Sequence, residues 1–178
     1  CRLLLPHLQL TTVLIPQNHT VFTKTDIVGE DENIIEKAIE KRNQIKKLAK
    51  FLAKEKIIVL TADGISYSLA KEGALKIKET SYKNISSAIL GEFMHGHVAV
   101  LNNKATLIYI SVDKISDRSI GNLNKIKQDY NPTIVIIGNS NDNIDPDFNI
   151  TISCTNEIEQ LFANVVILQL IALEVALH

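Results

Sequence analysis

From residue 57 onward the chain alternates between short apolar runs rich in β-branched residues and longer segments whose apolar positions recur every three or four residues. The short runs cover 57–61, 86–89, 106–112, 133–137 and 149–153. They are mostly apolar without strict alternation, which is how strands covered on both faces read. Helical periodicity occupies 67–82, 116–129 and 157–176. Strand and helix in this succession predict an α/β domain, a five-stranded parallel sheet joined by right-handed crossovers.

Ahead of this unit, Ile34, Ile35, Ala38, Ile39, Ile45, Leu48, Ala49 and Leu52 fall at helical spacing among many charged residues, predicting one amphipathic helix or two over 33–54. Residues 8–15 read as the end of a helix or as a short strand, and 17–29 as a linker. Residues 1–30 are therefore assigned to the tail of a preceding domain or a linker, and 31–178 to one globular domain. The segment 139–147, rich in Asn and Asp and carrying Pro146, predicts a surface loop. The apolar stretch 161–177 is interrupted by Asn164, Gln169 and Glu174, which favours a buried helix over a membrane span. The first sixteen residues begin like a secretion signal, but Pro6, His7 and Gln9 break the apolar block, and the missing initiator Met suggests a piece of a longer chain.

Composition narrows the partners. The 178 residues carry 19 Lys and Arg against 20 Asp and Glu, a net charge of -1, so there is no global field to recruit a polyanion. With four Tyr, five Phe and no Trp there are few stacking platforms, and no nucleic-acid or membrane partner is expected. Cys1 and Cys154 are too few for a disulfide framework or a zinc site and suit a reducing, cytoplasmic setting.

Candidate chemistry concentrates in 61–101. Advancing 100° per residue, Leu69, Ala70, Gly73, Ala74 and Ile77 form the apolar side of the 67–82 helix, and Lys71 and Lys78 the solvated side. Glu72, Lys76 and Glu79 share a stripe about 60° wide beside the core edge. Two carboxylates flanking one ammonium can differ in basicity, because a cation keeps a carboxylate ionised and desolvation does the reverse. The same spacing also describes an ordinary helix-surface ion pair contributing only about 0.3–0.5 kcal/mol. Gly64, in the turn after the first strand, marks the edge at which open parallel sheets bind ligands. His95 sits in a predicted loop between Gly91 and Gly96, where an imidazole can move protons near neutral pH or stand idle. His97 and Glu92 lie nearby, but no third ligand is placed by spacing, so no metal or other cofactor is expected.

The stretch AKEGALKIKETSYKNISSAILGEFMHGHVAVL, residues 70–101, resembles without a gap the second sugar isomerase (SIS) domain of the glutamine-fructose-6-phosphate aminotransferase family, whose signature runs ALEGALKLKEISY and then GELKHGPLAL. VVILQLIALEVALH near the end is similar to the family pattern VPLQLLAYHVAL. The resemblance implies a three-layer α/β/α sandwich and the isomerising half of an enzyme that makes glucosamine 6-phosphate from fructose 6-phosphate and glutamine-derived ammonia. By position it implies Glu79 as the base moving a proton between C1 and C2, with Glu72 and Lys76 lining the site and Gly64 near the substrate. It implies that His95 assists ring opening in the site of a neighbouring subunit, hence a homodimer. It further implies that the first SIS domain, the glutaminase domain and the tail lysine lie outside these residues, so that this piece alone is inactive. Two alternatives share the fold: a stand-alone sugar-phosphate deaminase or deglycase, and a non-catalytic phosphosugar-binding regulatory module. The chain departs from the family where Ala62-Asp63-Gly64 replaces Gly-Arg-Gly, Met94 replaces Lys and His97 replaces Pro.

Overall fold

The computed structural model describes residues 31–178, with side chains from residue 34 onward; the readings made for residues 1–30 lie outside the described residues. In chain order the elements are α1 (Asp31–Glu40), α2 (Arg42–Leu52), β1 (Ile57–Ala62), α3 (Ser66–Ser81), β2 (Ile85–Ile89), α4 (Leu90–Phe93), a 3-10 turn (His97–Val100), β3 (Ala105–Ser111), α5 (Asp117–Tyr130), β4 (Thr133–Gly138), β5 (Phe148–Ile150) and α6 (Glu157–Ala176). The five strands form one parallel sheet in the order β2-β1-β3-β4-β5. The expected α/β class, the sheet and its helical layers are all present.

Successive side chains of a strand point to opposite faces, so each strand feeds two cores. Ile58, Leu60, Ile108, Ile110, Val135 and Ile137 lie under the layer built by α1, α2, α3 and α6. Val59, Leu107, Tyr109, Ile134 and Ile136 face the thinner layer of α4 and α5. Each fully buried Leu or Ile contributes roughly 1.5–3 kcal/mol relative to exposure. Nearly continuous apolar strands are the consequence of covering both faces.

Helix ends follow local chemistry. Ser116 accepts a hydrogen bond from the Ser119 N–H at the start of α5, and Asn131 closes that helix in a left-handed conformation. At α6, Asn156 accepts from the Glu159 N–H while the Glu159 carboxylate reaches back to the Thr155 N–H at 2.8 Å and its hydroxyl at 2.6 Å. This reciprocal cap explains why the helix begins at the expected residue. The expected helical stretch over 33–54 divides at Lys41 into α1 and α2, both of which pack on α6.

α6 is apolar on nearly every side. Ala163, Ile167 and Ile171 are fully buried, whereas Ile158 and Leu173 are exposed. By length and composition it is long enough to cross a membrane, yet half of its apolar window is buried within the fold. Its polar residues are used internally: Asn164 donates to the Ser111 carbonyl at 2.9 Å and accepts from Gln160 at 3.0 Å, and buried Glu174 pairs with Arg42 at 2.9 Å. A helix with these attachments belongs to a core.

Gly138 ends β4 at φ +98, where a Cβ would sit 1.9 Å from the Ser111 carbonyl oxygen and 2.8 Å from the Asn164 amide. Only a residue without a side chain lets the ends of β3 and β4 and the flank of α6 meet this closely.

Candidate functional site

α3 presents its faces as the periodicity predicts. Leu69, Ala70, Gly73, Ala74 and Ile77 are buried, and Lys71 and Lys78 are exposed. Between these two sides run Glu72, Lys76 and Glu79. The Lys76 ammonium lies 3.6 Å from Glu72 and 3.3 Å from Glu79, so one cation bridges both carboxylates. The hydrogen bond that Lys76 donates to Glu79, followed by the charges of Glu72 and Glu79, raises the Lys76 pKa above its ordinary value and keeps it protonated. The side chains of Glu72, Lys76 and Glu79 are 45%, 36% and 53% exposed, so within this chain the stripe faces outward instead of lining an enclosed cavity. Its backbone is anchored beneath: Thr80 donates to the Lys76 carbonyl at 2.9 Å and to the Ala172 carbonyl of α6 at 3.2 Å.

His95 stands in the opposite layer. It follows α4, whose Leu90 and Phe93 are buried against the α5 side of the sheet, and it is exposed together with Gly96 and His97. The segment predicted as a loop is in part a helical turn, because Leu90 and Phe93, three residues apart, are drawn into the core together. Gly96, at φ +126, then turns the chain outward. Among the described residues the structure brings Glu72, Lys76 and Glu79 together and leaves His95 on the other side of the sheet.

Gly64 occupies the turn after β1 in the left-handed region at φ +56, next to Asp63. The order 2-1-3-4-5 places the topological switch point between β1 and β3, and a crevice opens there at the carboxyl ends of the strands. Asp63, Glu92, Ser116, Arg118, Ser119 and Asn122 line it, around about 280 Å³. Asp63 Oδ2 accepts from Ser119 Oγ at 2.9 Å and from the Tyr109 hydroxyl at 3.3 Å. Burial, aided by the neighbouring Asp63 charge, pushes the Tyr109 pKa up to about 12, so the phenol remains a donor. Of this group the sequence reading singled out only Asp63 and Gly64 as a turn and Glu92 as a neighbour of His95. The available signal was the Ser-x-x-Ser spacing of Ser116 and Ser119 after the third strand, an N-cap pattern at the same sheet edge.

Comparison with known proteins gives a consistent picture. The family model for the SIS domain matches residues 51–178. Glutamine--fructose-6-phosphate aminotransferase [isomerizing] of Wigglesworthia glossinidia brevipalpis is 30% identical over 130 residues, covering 67% of this chain and 21% of that protein. The protein of the same name from Bradyrhizobium diazoefficiens is 31% identical over 98 residues, covering 54% and 16%. Among solved structures, the C-terminal domain of glucosamine-fructose-6-phosphate aminotransferase from Francisella tularensis superposes with a TM-score of 0.72 at 20% identity, covering 82% of this chain and 43% of that one. Tagatose-6-phosphate ketose/aldose isomerase from Escherichia coli gives 0.69 at 16% identity, covering 87% and 46%. The structural likenesses establish the shared fold. The chain spans about a fifth of the length of these curated relatives and just under half of the solved ones.

Proposed function

The chain belongs to the SIS domain family, and from that premise we propose that it is the C-terminal isomerase half of a glucosamine-6-phosphate synthase-like enzyme, with residues 31–178 as its SIS unit and 1–30 as the connection to a preceding domain. The observation that carries this reading is one ammonium, Lys76, held between the carboxylates of Glu72 and Glu79 on an outward face of α3.

Ketose-to-aldose conversion of an amino sugar phosphate removes a proton from one carbon and returns it to the next, which one carboxylate on one face of the substrate can do. Glu79 is that base. Lys76 holds the Glu79 carboxylate in place, and Glu72 holds Lys76 from the other side, so the stripe works as one unit. The exposed His95 reaches a neighbouring subunit and assists ring opening there, which makes a homodimer part of the catalytic arrangement. A covering domain closes the stripe from water and supplies the groups that hold the sugar phosphate. No cofactor is invoked, and the setting is cytoplasmic.

The non-catalytic alternative, a phosphosugar-binding module, draws on the solvent exposure of the same stripe. One substitution separates the two. Glu79→Gln in the complete enzyme should abolish isomerisation while leaving sugar-phosphate binding and dimerisation in place. Unchanged turnover would overturn the catalytic assignment and favour the binding module.

A further inference from the structure

α6 is apolar on more sides than the fold covers. It packs on α1, α2 and α3, and Ile167 and Ile171 point into the core. The outward side remains. At 100° per residue, Ile158, Phe162, Val165, Gln169, Leu173 and Ala176 lie within about 80° of one another along it. Ile158, Leu173 and Ala176 are exposed, and Phe162, only half-buried, belongs to neither core. α1, packed on the same helix, adds Ile35 and Ile39, exposed and one turn apart. A helix that is hydrophobic all round is ordinarily covered all round, so this face calls for an occupant.

The face is complementary to itself when one copy is reversed. Ile158, Phe162, Val165, Gln169, Ala172 and Ala176 follow one another at alternating intervals of four and three residues, the seam of a two-helix coil. That seam reads the same from either end. About a twofold axis beside Ile167, Ile158 meets Ala176, Phe162 meets Ala172 and Val165 meets Gln169, so the outer layers set a large side chain against a small one. Charge matches in the same direction. Exposed Glu157 opens α6, whereas Arg42, half-exposed in its pair with Glu174, and exposed His178 stand at the other end. Antiparallel packing therefore brings each acidic start beside a basic end and opposes the two helix dipoles. Gln169, the one polar residue in the seam, holds the register.

We propose that two copies of this chain associate through the outward faces of α6, antiparallel about a twofold axis beside Ile167. The contact is separate from the one assigned to His95 above, because His95 stands on the opposite side of the sheet from α6. Thr80, next to Glu79, donates to the Ala172 carbonyl at 3.2 Å, so the second copy stands alongside the charged stripe of α3. The association rests on α6 alone and is read by mass, so it stands or falls apart from the isomerase reading.

The chain has no Trp, so Phe162→Trp places a single reporter on the seam. Sedimentation equilibrium of the 178-residue chain should give twice the chain mass of 19.8 kDa, falling on dilution, and the tryptophan emission should move to the red in step. Phe162→Glu should weaken association at least about thirtyfold, as the loss of a central apolar anchor does. Leu173→Lys, at an exposed position, should do the same with helical circular dichroism unchanged, which keeps the test open if Phe162→Glu misfolds. With Cys1 and Cys154 replaced by Ser, a mixture of Ile158→Cys and Ala176→Cys chains should form a disulfide between unlike chains, with neither variant coupling to itself. Four results would overturn the proposal: a monomer at every concentration, its emission blue-shifted by the chain's own preceding residues or red in open solvent; a monomer whose emission shifts to the blue on phosphatidylglycerol vesicles; Ile158→Cys coupling to itself; and a dimer that Leu173→Lys leaves intact.

Discussion

The charged stripe of α3 and the crevice at the strand ends are built from the same residue types and differ in what surrounds them. On the stripe, carboxylates and ammonium satisfy one another and all three face solvent. In the crevice, Asp63 is held by two uncharged hydroxyl groups, and among the described residues the nearby Glu92 and Arg118 form no ion pair. The first arrangement is electrically closed and geometrically open. The second is the reverse. A closed charge set on an open face gains chemical use once another surface covers it, whereas an open charge set in a concave place can bind a ligand within a single chain.

The contrast can be broken at several points. The largest effect is expected from Glu79→Gln in the complete enzyme, a loss of about 10²- to 10⁴-fold in kcat, corresponding to about 3–5 kcal/mol in the barrier. Thermal unfolding of the same variant should shift little, because a half-exposed ion pair contributes at most about 1 kcal/mol. Next comes the strand-end framework. Gly138→Ala places a side chain at φ +98 and against the Ser111 carbonyl, and should destabilise the fold by roughly 2–4 kcal/mol in urea denaturation.

Tyr109 gives a pH-dependent test. Its folded pKa of about 12 exceeds the ordinary value of 10.0, so the folded state favours the protonated phenol. The associated stability is fully present below pH 10 and is lost as pH rises from there towards about 12. Tyr109→Phe should remove that alkaline slope, read as the change in unfolding midpoint between pH 9 and 11. The smallest effect is expected at Glu72→Gln, no more than about 0.5 kcal/mol by denaturant titration, since this carboxylate lies 3.6 Å from Lys76 on an exposed helix face.

Much of the fold could be read from local pattern because both sheet faces are covered. Doubly buried strands leave uninterrupted apolar runs, and β1, β2 and β4 differ from the expected runs by one residue at an end. β5 is shorter than its run, ending at Ile150, because the following residues no longer pair with β4. α6 starts at the residue that its Asn156 and Glu159 cap dictates. The face that Glu72, Lys76 and Glu79 share was legible from 100° arithmetic alone.

What stayed hidden depends on contacts distant along the chain. Periodicity cannot say that β3 lies beside β1, and without that order neither the switch point nor its crevice can be placed. The partners of Asp63 are 46 and 56 residues away, and no local signal joins them. The helical turn at 90–93 escaped because four residues are too few to show a period; burial of Leu90 and Phe93 decides it. Likewise the pattern places the stripe on a face without saying what that face looks onto.

α6 closes the larger core, and it is the last element described along the chain. During synthesis the strands carrying Ile58, Leu60, Ile108 and Val135 leave the ribosome well before Ile167 and Ile171 arrive to cover them. For that interval one face of the nascent sheet is covered only in part, by α1, α2 and α3, a state that invites chaperone capture or self-association. A premature stop ahead of Glu157 would make the interval permanent, so the completion of one helix decides whether the rest of the chain is protected.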